Sequence, residues 1–251
     1  MNSERYLLPI LLLLIWQVLS YFQIIPDYLL PSPLKIMIGF RDLLVIGMPP
    51  GHLLHDHVRY SLYRVALGFG VACFVGIPLG VLMGWSSRLR FMITPILEIV
   101  RPIPPLAWIP IAILWFGIGI KSAAFIIFLG AFFPVLLNTL SGVLSVDTVF
   151  IEAAKTLNAK EKDIFFKVLV PGAIPSIFVG MRIGMGIGWM TLVAAEFTGV
   201  KEGYGLGYMI MTARDIQRPD EIIAGMLIIG LIGLLINSFL GFLESKIVRW
   251  K

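Results

Sequence analysis

The sequence predicts an all-α fold, a polytopic transmembrane helical bundle of about six spans. Three observations carry that expectation. Hydrophobic residues make up 58% of the chain and charged residues 14%, whereas a soluble domain needs roughly a quarter of its residues charged. Mean hydropathy is +0.92, and the apolar blocks recur at about the 20 residues a helix needs to cross a hydrocarbon core. The net charge of +5 is spread thinly between those blocks. No basic run is interleaved with aromatics, so nucleic acid is not an expected partner, and membrane lipid is.

The first block follows Arg5 and runs from Leu7 to Leu19. No small-residue cleavage site follows it, so the expectation is an uncleaved first span over 6–25 rather than a signal peptide. Further spans are expected at 62–84, 95–118, 122–144, 175–199 and 222–243. Six spans place both termini on one side, and Lys and Arg choose which. With the N-terminus inside, the cytoplasmic set holds Arg5, Arg88, Arg90, Lys155, Lys160, Lys162, Lys167, Lys246, Arg249 and Lys251. The outer set holds Lys35, Arg41, Arg59, Lys121, Lys201, Arg214 and Arg218. Both termini are therefore expected in the cytoplasm. The lone Cys73 sits in an apolar block, permits no intrachain disulfide and leaves the compartment open.

The longest outer segment is 26–60. Pro31-Ser32-Pro33 stops the chain, and Leu34, Met37, Ile38, Phe40, Leu43 and Leu44 then recur near helical spacing, which suits a short helix on the membrane surface. Met48-Pro49-Pro50-Gly51 turns the chain back. His52, His55 and His57 follow; only Asp56 joins them, short of a zinc ligand set, so no metal is expected and they read as surface histidines.

The third span is interrupted by Pro95, Pro102, Pro104, Pro105 and Pro110 and cannot be a straight helix. Either the backbone breaks at membrane depth beside a cavity, or Pro95 to Pro105 belongs partly to the loop and a shorter helix runs from Leu106 to Phe116. The fifth span carries Gly180, Gly184, Gly186 and Gly188, which fits close helix packing or a flexible point during gating. No internal repeat is visible, so any two-fold symmetry must come from a second chain.

Between spans four and five lies the sizeable hydrophilic stretch of the cytoplasmic side. Asp147 is placed to cap a helix containing Glu152, Ala153, Ala154 and Lys155. Asn158 tolerates the left-handed conformation that stops a helix. Ile164, Phe165 and Val168 form a second amphipathic turn, which Pro171 is expected to end. By spacing alone this is either a solvated loop or a docking element.

The order Glu152-Ala153-Ala154, Asn158, Val168-Leu169-Val170-Pro171 resembles the EAA loop of ABC importer permeases, whose pattern is Glu-Ala-Ala, three residues, Gly, nine residues, Ile-x-Leu-Pro. The spacing is intact; Asn158 stands where the family usually has Gly. Arg101 to Gly119, Gly180 to Glu196, and Gly203-Tyr-Gly205-Leu-Gly207 with Ala213-Arg214-Asp215 are similar to the taurine, aliphatic sulfonate and nitrate permeases of that family. The likeness covers nearly the whole chain from about residue 60.

That resemblance implies a type I ABC importer permease fold, with 1–60 an added N-terminal helix and outer surface segment and 61–251 the permease domain. It implies that the loop 145–171 holds the coupling helix gripped by a separate ATPase subunit. The chain contains no Gly-x-x-x-x-Gly-Lys-Ser/Thr run, so it is not expected to be an enzyme or to bind a cofactor; ATP and Mg would be used by the ATPase. The implied partners are two ATPases, a second permease copy in a homodimer, and a solute-binding protein docking near 26–60 and 200–220. The implied cargo is a small oxyanion such as a sulfonate, taurine, nitrate or bicarbonate, although thiamin-precursor importers share the scaffold.

Ionisable groups within spans usually face the bundle interior, which selects Glu98, Arg101, Arg182 and Glu196 as candidates for the translocation pathway. Arg182 either attracts an anion or anchors a cytoplasmic helix end. Glu196 either serves the pathway or holds the glycine-rich turn after it. An ion-coupled secondary transporter is the competing function, but it needs coupling carboxylates within spans and usually repeats. A membrane enzyme needs a convergent catalytic set, which the histidines do not provide.

Overall fold

The computed structural model describes residues 4–48, 51–197 and 204–248. Expectations that fall on Pro49, Pro50, 198–203, Arg249 and Lys251 lie outside the described residues. Among the described residues there are eleven α-helical segments: α1 Glu4–Tyr21, α2 Pro33–Val45, α3 Leu54–Trp85, α4 Ser87–Val100, α5 Ile109–Phe116, α6 Ile120–Leu144, α7 Thr148–Thr156, α8 Glu161–Ile164, α9 Val170–Phe197, α10 Leu206–Asp215 and α11 Pro219–Ile247. A 3₁₀ turn, Pro105–Trp108, precedes α5, and a π turn, Phe165–Leu169, joins α8 to α9.

Against the expectation of about six spans, four described helices are long and apolar enough to cross a membrane, and five if the bent pair α4 and Pro105–Phe116 counts as one span. The first expected span is α1, in which Ile10–Tyr21 is a shorter apolar stretch. It stops at Tyr21 because Gln23 adopts φ +50° and the amide of Ile24 returns to the Leu19 carbonyl, a left-handed closure ahead of Pro26. The expected third span bends by 80° at the break between α4 and Pro105–Phe116. Pro102, Pro104 and Pro105 withhold successive backbone donors there. Pro95 lies inside α4, and the second limb matches the short helix expected from Leu106 to Phe116.

Pro171 does not end a turn as expected. It is the second residue of α9, and the helix runs unbroken from Glu161 to Phe197. The π turn explains this: a proline ring would collide with the carbonyl four residues back, and one extra residue in the preceding turn opens that spacing. α3 begins at Leu54 rather than 62 because His55, Asp56, His57 and Arg59 continue the helix beyond its apolar window.

By contacts the chain divides into two compact units, Met1–Ser61 with Glu196–Ile232, and Leu62–Ala195 with Gly233–Lys251. In the first, Ser32 caps α2 by accepting from the Lys35 amide, with Pro33 at the first helical position. Arg218 bridges Asp42 of α2 at 2.9 Å, Asp220 at 2.8 Å and Glu221 at 2.9 Å. Hydrogen bonding to Asp220, then to Asp42, pushes the Arg218 guanidinium further up from its ordinary value, so it stays charged throughout the working pH range. In the second unit, Phe69, Ala72, Met83, Ala131, Phe132, Val135 and Leu136 form a buried core between α3 and α6. Val81, Val143, Leu169, Ala173 and Ile177 extend it onto the start of α9.

Candidate functional site

The hydrophilic segment after α6 folds as the short helix α7, a bend, and then α8, the start of the long helix that runs on to Phe197. Asp147 caps α7, its carboxylate accepting from the Val149 amide at 2.9 Å. Asn158 adopts φ +58°, the left-handed stop its side chain tolerates, and the Ala159 amide returns to the Ala154 carbonyl. Glu152, Ala153 and Lys155 are exposed and Ala154 is half-buried. Val149, Phe150 and Leu157 are 62%, 63% and 84% exposed. A groove of about 620 Å³ runs beside them, lined by Asp147, Phe150, Ala153, Ala154, Leu157, Lys167, Val168 and Gly172 among others. Apolar side chains held out from a hydrophilic element mark an interaction surface. Covering Phe150 and Leu157 would contribute roughly 1.5–3 kcal/mol each.

A second feature of the same unit is a cavity of about 410 Å³ bounded by Arg101, Ile103, Pro105, Trp108, Leu129, Gly130, Phe133, Pro134, Leu137, Asn138, Ile183 and Ile187. The break after α4 puts Arg101 there, the one charged residue among those lining it. Such a mostly apolar pocket with few polar groups is suited to a small polar solute.

The structure does not gather the other candidates at this cavity. Glu98 is exposed on α4, outside its lining. Arg182 pairs with Glu244 of α11 at 3.0 Å beside a smaller pocket of about 110 Å³ that includes Trp189 and Asn237. Glu196 belongs to the other unit and is fully buried. One of its oxygens accepts from the Gly207 amide at 2.8 Å, and both accept from the Ser61 hydroxyl, at 2.8 and 3.1 Å. Ser61 in turn accepts from the Leu206 amide at 2.9 Å. The first turn of α10 has amides with no intrahelical acceptor, and these two side chains supply one each. Glu196 thus holds the glycine-rich turn.

The histidines are not all on the surface, which corrects the expectation for them. His57 is fully buried, with Nδ1 3.0 Å from both the amide and the carbonyl of Gly205. Tyr204 packs edge-on against His52 at 4.4 Å and stacks on Tyr60 at 4.7 Å. The glycine-rich turn draws these residues inward, and nothing in their own spacing announces it. Ser61 carries no such signal either, whereas Asn138 stands out as an amide inside an apolar span.

The profile of the family described as "Binding-protein-dependent transport system inner membrane component" matches residues 76–250. A putative ABC transporter permease of Methanocaldococcus jannaschii is 44% identical over 97% of this chain and 90% of its own length. The putative aliphatic sulfonates transport permease SsuC of Bacillus subtilis is 39% identical over 98% and 86%. The taurine transport system permease TauC of Escherichia coli is 38% identical over 95% and 86%. Among solved structures, the inward-facing methionine ABC transporter MetNI aligns with a TM-score of 0.63 at 23% identity, over 78% of this chain and 94% of that one. That likeness concerns the fold.

Proposed function

Because the chain belongs to the binding-protein-dependent transport system inner membrane component family and is the permease subunit of an ABC importer, we propose that it forms the path for a small sulfonate or related oxyanion. In this reading α7 is the handle through which two separate ATPase subunits, using ATP and Mg, drive a permease homodimer in the cell's inner membrane. A solute-binding protein delivers the cargo from outside. The observation that carries the reading is the exposed α7, with Glu152, Ala153 and Ala154 followed by Asn158 in a left-handed stop. The cytoplasmic placement is supported by Lys155 on α7 and by Lys160, Lys162 and Lys167 just after it. Anionic cargo is supported by Arg101, the cavity's single charged residue, and by relatives whose names specify sulfonates and taurine.

Glu152→Lys reverses the charge on the exposed face of α7. The expected result is loss of ATPase subunits on affinity purification of the permease, together with loss of uptake. Normal recruitment and normal uptake would refute the docking role. Leu157→Cys supplies the orientation test: a membrane-impermeant thiol reagent should label it only after the cytoplasmic face is opened.

A further inference from the structure

We propose that the outward face of α4 is where a second copy of this chain docks, with Glu98 of each copy paired to Arg101 of the other. This rests on the homodimer reading above and names the surface that makes it.

α4 turns one row of side chains inward: Leu89, Ile93 and Leu97, four residues apart, pack on the core between α3 and α6. No residue of α4 is buried, and its other face is bare, with Phe91 83% and Ile99 74% exposed. Phe91, Pro95 and Glu98 follow at the spacing of one helix face, and all three are exposed. Arg101 keeps helical backbone, at φ −55° and ψ −40°, with its amide on the Leu97 carbonyl at 2.8 Å. It therefore stands one turn, about 4.5 Å, beyond Glu98.

An apolar helix face can be left to lipid, but an acid and a base beside it cannot; ionisable groups in a span pair with one another or face protein or water. Here α4 is the first limb of the broken span. Neither the Glu98 nor the Arg101 side chain has a hydrogen bond or ion pair among the described residues, not even with the other. A copy related by a two-fold axis along the membrane normal sets a second α4 alongside, in parallel. The acid of each copy then lies one turn from the base of the other, and the contact forms two ion pairs at once. An unrelated partner would have to supply both charges at that depth independently. The second copy also brings a carboxylate to a cavity whose own lining has Arg101 and no acid. A guanidinium has five N–H donors, so one edge can hold that carboxylate while another faces the cavity.

The test uses membranes from cells making the complete importer, with two permease copies carrying different tags. Arg101→Lys keeps the positive charge and supplies a primary amine. Dicyclohexylcarbodiimide, an apolar reagent, activates a carboxyl so that an amine in contact with it closes an amide bond. Arg101→Lys is expected to yield a covalent dimer carrying both tags, and adding Glu98→Gln is expected to abolish it. Glu98→Arg or Arg101→Glu alone should lower the fraction of permease recovered as dimer, and the two together should restore it, which separates pairing from misfolding. No covalent dimer, a dimer that persists with Glu98→Gln, a link formed only within one chain, or an exchanged pair no better than the single changes would overturn the inference and leave this face to lipid or to the aqueous path. Failure of the two tags to co-purify from the wild-type importer would instead overturn the homodimer reading itself.

Discussion

Removing the Glu196 carboxylate should release α10. In the native chain the Oε2 atom alone accepts from the Gly207 amide at 2.8 Å and from Ser61 at 3.1 Å, inside a fully buried environment. Glu196→Ala leaves at least those two donors buried without an acceptor, at about 1–3 kcal/mol each and hence about 2–6 kcal/mol together. The loss of a negative charge at the N-terminus of α10 adds to it. Glu196→Gln is milder, because a carbonyl oxygen placed where Oε2 lies still accepts both bonds and only the charge is lost. The assay is hydrogen exchange of the Leu206–Asp215 amides in the nanodisc-reconstituted transporter. Even the lower bound of about 2 kcal/mol corresponds to roughly 30-fold faster exchange, and the glutamine variant should fall between alanine and wild type. Exchange within a few-fold of wild type in Glu196→Ala would refute the reasoning, since it would mean that α10 is held by something other than this buried bond set.

Three further outcomes are expected. Asn158→Gly should leave ATPase recruitment and uptake near wild type. Asn158→Val should weaken both, because a β-branched residue at φ +58° carries about 1–2 kcal/mol of strain; equal behaviour of the two would argue against a strict left-handed bend. Gly184→Ala should lower the melting temperature measured in detergent, since a methyl there meets the Ala131 carbonyl at 2.9 Å and such overpacking costs about 1–3 kcal/mol. Gly186→Ala, with open space around it, should be neutral or stabilising, and the reverse ranking would refute the packing assignment. Pro171→Ala should let the π turn relax to α-helix, turning everything N-terminal to it by about 100° per residue removed. Uptake should fall without loss of protein, and full activity would show that the π turn is dispensable.

The helical, membrane-spanning class was legible from composition and block length, and the local shape of the hydrophilic stretch after α6 was legible almost residue by residue. Asp147 and Asn158 act through local chemistry, a cap and a left-handed stop, which sequence spacing specifies directly. The boundaries read less well. α3 extends upstream through His55 to Tyr60 because a helix continues for as long as its backbone bonds are made, whatever the apolarity of its side chains. The role of Glu196 stayed divided between pathway and turn because its partners, Ser61 and Gly207, lie 135 and 11 residues away, separations that no local pattern encodes. His57 was misplaced for the same reason, being matched to Gly205 across 148 residues.

Pro171 decides whether the chain bends before α9. A proline that ended the turn after α8 would leave a hinge there. With the π turn absorbing the proline, the helix is continuous over the 37 residues from Glu161 to Phe197, roughly 55 Å at the ordinary rise per residue. Leu169, Ala173 and Ile177 seat its beginning against Val81 and Val143. Glu196, its last residue but one, grips the first turn of α10. The segment from α8 to Phe197 is therefore a single hydrogen-bonded helix, not two helices about a hinge. Its far end carries the carboxylate on which α10 depends, so the Glu196 and Pro171 variants disturb the two ends of the same element.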